Sequence, residues 1–262
     1  MKSDKTLNIL VLIIVILFIV SKSSSLKYKL AGVVQSARFK IITKNMEMKE
    51  LNNITVYYSN KRDETYINDL KEYLIEGEDK AVPLLGKTSM YPFNIIIFTT
   101  SEEFGEVFKV QSKEIRAVTI FDSLYIPCDN ISPYVFVHEY THYKLNSFCK
   151  QNGISIFKLP IWFQEGIAEY AGSSLFSNKF KNLKIRKIQD FRKLNNNNQI
   201  WESEDEGEDS YMQSYLAVKK IIELKGKNSI QEILINTKSM TFYNAFKKVI
   251  GLSIDDFQKL LN

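Results

Sequence analysis

"VFVHEYTHYKL", residues 135–145, holds every histidine of this 262-residue chain. His138 and His142 are four apart, and Glu139 follows the first directly. On an α-helix, positions i and i+4 share a face about 6 Å apart at Cβ, so both rings can reach one ion. Glu139, one residue on, is rotated about 100° around the helix. It would stand beside such an ion without pointing at it, where a general base toward a metal-activated water belongs. The flanks favour a helix. Ser132 suits the N-cap, Pro133 suits the first helical position, and Val135, Phe136 and Val137 lead into the motif. An ordinary amphipathic helix could also carry two histidines, so a third ligand decides the reading.

"PIWFQEGIAEY" (160–170) offers one. Glu165 and Glu169 are four apart, again on one helical face. Twenty-two residues lie between His142 and Glu165, enough for one helix to end, turn and return. Trp162, Phe163, Ile167 and Ala168 surround the acidic pair, an unusual setting for a merely solvated face. Glu165 would complete a His, His, Glu set. Glu169 would accept the other ring N–H of a ligand histidine and fix its tautomer.

HEYTH followed by "WFQEGIAEY" resembles the gluzincin metallopeptidases, most closely the peptidase MA-like domain, a relative of the aminopeptidase N and thermolysin families. In those families the glutamate of the [N/Q]-E-G-x-A element is the third zinc ligand, which maps to Glu165. The resemblance spans about residues 53–262. It is strongest over 134–171 and extends to "YMQSYLAVKKIIELKG" and the helices after it, which look like the domain's C-terminal half. In the aminopeptidase relatives a tyrosine in a Y-x-x-small element stabilises the oxyanion. Tyr211-Met212-Gln213-Ser214 matches, with Tyr215 one turn away as the alternative among fourteen tyrosines. The resemblance implies one catalytic Zn2+, a zincin-like fold with the zinc site between two lobes, and a peptide or protein substrate. It also implies an edge strand that pairs with extended substrate, for which 117–121 is the candidate. Two departures matter. The Gly-x-Met-Glu-Asn element that grips a free N-terminus is absent, and "NMEM" at 45–48 is too early and lacks the glycine, which argues against an aminopeptidase. The residues after His142, "YKLNSF", contain no third histidine, which excludes the metzincin pattern.

Periodicity along the chain predicts an α+β fold: a small mixed α/β lobe over 53–130, then a mainly helical lobe over 131–262. "NITVYYS" (53–59) and "FNIIIFTT" (93–100) read as strands, 62–85 and "SEEFGEVFKV" (101–110) as helices, and "AVTIFDSLYIPCD" (117–129) as a hairpin around Asp122-Ser123. The later helices are expected over 132–148, from Pro160, over 211–226, and in two shorter pieces beyond. Residues 26–52 read as linker or early strand. The connector with its basic run (179–193), "NNNN" (195–198) and "ESEDEGED" (202–209) reads as a solvated loop of neighbouring opposite charges, with no ligand assigned.

The first 25 residues read as a targeting segment. Lysines at 2 and 5 precede a run from Leu7 to Val20 that is apolar except at Asn8. Its fourteen residues rise about 21 Å as a helix, against roughly 30 Å of hydrocarbon core. That suits a secretory h-region, while the poor cleavage site keeps a signal anchor open. Either way the domain is expected outside the cytoplasm, tethered to a membrane or released. A net charge of +5 is too mild to imply nucleic-acid binding. Cys128 and Cys149 flank the HEYTH helix at opposite ends, about 24 Å apart by helical rise, too far to bridge. Besides a zinc peptidase, the sequence leaves open an inactive membrane-tethered binding protein on the same scaffold, or an aminopeptidase.

Overall fold

The apolar runs around residues 54 and 93 form the middle of a five-stranded sheet. The structure, a computed structural model, describes residues 24–51, 53–59, 66–88, 91–109, 116–174, 185, 188–196, 201 and 204–261. The strands are β1 (Glu47–Leu51), β2 (Ile54–Tyr58), β3 (Phe93–Phe98), β4 (Val118–Ile120) and β5 (Ser123–Pro127), in the order β1-β2-β3-β5-β4. β2, β3 and β5 run parallel, and β1 and β4 close the edges antiparallel. Parallel neighbours need crossovers. Helix α2 (Tyr66–Leu85) lies between β2 and β3 in the chain, and helix α3 (Ser101–Phe108) follows β3.

Alternation along the strands sorts side chains to two faces. Ile54, Val56, Phe93, Ile95, Ile97, Leu124 and Ile126 are buried together with Ile67 and Leu70 of α2 and with Val135, Phe136, Tyr140 and Tyr143. These last four belong to α4 (Pro133–Gln151), the helix that carries HEYTH. On the other face, Phe98 meets Phe104 of α3 edge-on at 5.5 Å, and Tyr125 meets Phe108 at 5.2 Å. The edge strand β4 is tied to α4, because Thr119 Oγ1 donates to the Glu139 carbonyl at 3.0 Å.

The chain beyond α4 is helical: α5 (Ile161–Ser173), α6 (Phe191–Asn196), α7 (Glu204–Lys225), α8 (Asn228–Asn236), α9 (Phe242–Ile250) and α10 (Ile254–Gln258). Trp162 of α5 is wholly buried among Phe163, Phe191, Phe242 and Phe246, with ring centroids 4.4–6.4 Å away. The protein is thus α+β, with N-terminal strands followed by helices.

Four expectations shift. The chain divides into two compact units, Met1–Lys44 and Asn45–Asn262, and helix α1 (Ser24–Ile42) occupies most of the stretch read as linker or early strand. Its sequence has no proline and one glycine among Leu, Ala, Lys, Arg and Gln, which favour helix. The sheet-bearing unit therefore gains β1 ahead of residue 53. The hairpin turns at Phe121-Asp122, one residue early. α7 begins at Glu204, so the stretch read as loop through 209 is helical from there. The apolar run 7–20 and the start of the helix expected from 62 lie outside the described residues. Among the described residues no helix is long and apolar enough to cross a membrane. Neither cysteine is in a disulfide, and the Cys128 thiol donates to the Thr99 carbonyl at 2.9 Å.

Candidate metal centre

α4 begins where its sequence dictates. The Ser132 hydroxyl accepts from the Val135 amide at 3.3 Å, and Pro133 follows at the first helical position. Its length of 19 residues carries the histidines on one side and the sheet-packing aromatics on another. The chain leaves α4 through Gly153, whose φ of +65° is a left-handed conformation that favours glycine, and re-enters helix after Pro160. That return brings Glu165 and Glu169 of α5 against the histidine face.

Three ligand atoms converge there. His138 Nε2 and His142 Nε2 lie 3.2 Å apart, and Glu165 Oε2 lies 3.3 Å from the first and 3.4 Å from the second. Among the described residues this is the one such cluster of histidine, cysteine or carboxylate groups. Ligand atoms bound tetrahedrally at 2.0–2.1 Å are separated from one another by about 3.3 Å. The triangle already has those sides. Two imidazole nitrogens facing each other at 3.2 Å also call for a shared proton or cation between them. On both counts the residues fit a tetrahedral metal ion with its fourth position open.

The remaining groups surround the triangle. Glu139 is buried on α4 beside His138. Glu169 Oε1 lies 3.4 Å from His138 Nδ1, a buried atom that makes no hydrogen bond among the described residues. Tyr134, one turn before His138, donates its hydroxyl to both Glu169 oxygens at 2.6 Å. The Tyr211 ring stands edge-on to His138 at 6.5 Å. Tyr215 instead stacks on Tyr170 at 6.2 Å, so of these two tyrosines it is Tyr211 whose ring meets His138. Trp201 packs edge-on to Tyr211 at 5.1 Å, with its indole N–H donating to the Leu194 carbonyl at 2.8 Å.

The electrostatics follow from this crowding. Burial alone would lower the His138 pKa, but its contacts with Glu165 and Glu169 outweigh burial and push it up to about 10 in the metal-free geometry. Glu165 is buried, yet the two histidines hold its carboxyl below the usual range. Tyr211 is raised well above 10, by burial first and then by the charges of Glu165, Glu139 and Glu169. Burial and the Glu169 carboxylate raise Tyr134 likewise. Both phenols are therefore donors at any physiological pH.

Sequence reasoning missed Tyr134, Trp201 and Thr119. Tyr134 carried a signal, since it precedes His138 by one helical turn and so shares its face. Trp201 lies in the polar connector, with nothing local to mark it.

Gly166 explains part of the E-G-x-A element. A Cβ there would sit 2.4 Å from the Ser214 carbonyl oxygen and 2.7 Å from Val218, so glycine is what lets α5 press against α7. The same contact seats Glu165 and Tyr211 on adjoining helices. A family model described as the Peptidase MA superfamily matches residues 80–262. No curated protein matches the chain.

Proposed function

The chain belongs to the Peptidase MA superfamily, and from that premise we propose that it is a zinc-dependent peptidase acting on peptide or protein substrates. The observation that carries the reading is the triangle of His138, His142 and Glu165, whose sides of 3.2–3.4 Å suit one ion. A zinc ion held there would polarise the scissile carbonyl and lower the pKa of a water in the open position.

The protein's own groups divide the remaining work. Glu139, anchored at its backbone by Thr119, takes the attacking water's proton and delivers it to the leaving amine. Tyr211, kept protonated by burial and three nearby carboxylates, donates to the developing oxyanion. Glu169 orients His138 through Nδ1. β4, at the sheet edge and tied to the helix at Glu139, is the strand on which an extended substrate would pair. The apolar run from Leu7 to Val20 supports a location outside the cytoplasm, tethered or released.

Glu139→Gln tests the assignment. The wild type should bind near one zinc per chain and cleave peptides with blocked and free N-termini alike. The variant should keep the zinc and lose activity about 10²–10⁴-fold, the usual worth of a general base. Zinc in both with cleavage by neither, across a broad peptide library, would make the chain a binding protein. Cleavage restricted to free N-termini would make it an aminopeptidase.

A further inference from the structure

Glu169 is gripped from two sides by one helix. Tyr134 and His138 are one turn apart on α4, and both face the same carboxylate of α5. The two grips differ in strength. Tyr134 shares its one hydroxyl proton between the two Glu169 oxygens, each 2.6 Å away, the length of a charge-assisted hydrogen bond, whereas His138 Nδ1 stands off at 3.4 Å without hydrogen-bond geometry. A carboxylate on a three-carbon stem has rotamers to spare. Contact at both oxygens holds the carboxylate end of that stem against α4. Glu169 is also 4% exposed, so water is poorly placed to replace the phenol.

A second feature supports the contact independently. Gly172, three residues beyond Glu169 on α5, lies under the Tyr134 ring, and a Cβ there would come within 3.2 Å of ring carbons Cδ2 and Cε2. That is tighter than ordinary van der Waals contact. The missing side chain leaves the space that the Tyr134 ring occupies. Tyr134, Glu169 and Gly172 thus form one fitted contact between α4 and α5, beside the triangle but touching none of its three ligand atoms.

The geometry points to Tyr134 as the positioning residue of the metal centre: it fixes the Glu169 carboxylate, which in turn fixes the His138 ring for ligation through Nε2. This rests on the metal reading of the site but not on hydrolysis. Without the phenol, Glu169 loses its contact at both oxygens, and His138 keeps its place on the helix while its ring is held less firmly. Outer groups of this kind are worth 10–100-fold in metal affinity.

The test is a double-mutant cycle read in zinc affinity, by competition with a chromophoric chelator, on the full chain in mild detergent. Tyr134→Phe keeps the ring on Gly172 and removes only the hydroxyl. It should weaken zinc about tenfold or more and leave the melting temperature of the metal-free chain near the wild type's. Glu169→Ala should weaken zinc at least as much. The double variant should be no weaker than Glu169→Ala alone, because both changes break one chain of contacts. A merely structural tyrosine would lower the melting temperature and would not couple to Glu169. Wild-type zinc affinity in Tyr134→Phe, or losses that multiply in the double variant, would overturn the inference while leaving the proposed peptidase standing. A folded wild type that takes up no zinc would bring down both.

Discussion

Toward the sheet and α2, helix α4 presents Phe136, Tyr140 and Tyr143; toward α5 it presents Tyr134, His138 and His142. On the first side the contacts are many and interchangeable. Phe93 stacks on Tyr143 at 4.1 Å and meets Tyr140 at 5.6 Å, while Tyr73 meets Phe136 at 5.9 Å. On the second side the ligand nitrogens and the Glu165 oxygen converge to 3.2–3.4 Å of one another. Apolar burial scales with area and forgives substitution of like for like. A ligand set does not, because one misplaced atom loses the ion. One helix therefore anchors the fold with one side and holds the candidate centre with the other, and the two sides should fail differently.

The largest effect expected is at Phe136, which is fully buried against the sheet. Phe136→Ala should cost about 3–5 kcal/mol, a large share of a domain's typical stability. Zinc affinity of the molecules that remain folded should hardly change. Glu165→Ala should do the reverse, losing zinc while the metal-free chain unfolds near the wild-type denaturant midpoint. Chemical denaturation beside metal analysis separates the two. If Phe136→Ala sheds zinc without losing stability, the division of labour along α4 is wrong.

Gly166→Ala should hurt both properties, because the added Cβ meets backbone, the Ser214 carbonyl at 2.4 Å. Overpacking of that kind costs about 1–3 kcal/mol. The shift falls next to Glu165, so zinc should weaken as well. A variant with wild-type melting and wild-type affinity would mean that α5 and α7 adjust freely, and that the glycine is not what seats the third ligand.

Glu78 probes the sheet-and-α2 side where it is polar. It accepts from the Lys144 ammonium at 2.9 Å and from the Tyr140 hydroxyl at 3.0 Å. Lys144 is almost wholly buried, whereas the Glu78 side chain is 43% exposed, so water offsets part of the loss. Glu78→Gln should cost about 1–2 kcal/mol, below the 3–5 typical of a fully buried pair. Thermal unfolding measures it, and zinc uptake should be unaffected.

Much of the candidate centre was legible because it is local. His138, Glu139 and His142 sit within five residues, and Glu165 with Glu169 within another five, so helical phase alone shows what shares a face. The strands at 54–58 and 93–98 were legible from their β-branched runs. What sequence hid was contact at a distance. Tyr134 reads as one more aromatic of a core helix until α5 brings Glu169 to it, 35 residues on. The acidic run before Tyr211 reads as loop because charge suggests solvent, yet the helix that carries Tyr211 already begins at Glu204. α1 was hidden by its scattered lysines and weak apolar periodicity, which resemble linker composition.

Trp201 gives the smallest expected effect and tests how far the precise side of α4 extends. Its indole is pinned to the Leu194 carbonyl of α6 and stands edge-on to Tyr211. α6 is itself joined to the start of α5, where the Ile161 amide donates to Asn195 Oδ1 at 3.2 Å. The connector thus links the helix of Glu165 to the ring of Tyr211. An aromatic pair of this geometry is worth about 0.5–1.5 kcal/mol. If it acts by holding Tyr211 for the oxyanion, Trp201→Ala should lower kcat about two- to tenfold, with KM and zinc content near wild type. Trp201→Phe, which keeps a ring but drops the N–H anchor, should recover part of the loss. A rise in KM with unchanged kcat would instead make Trp201 a substrate-binding wall, and the fitted side of α4 would end at Tyr211.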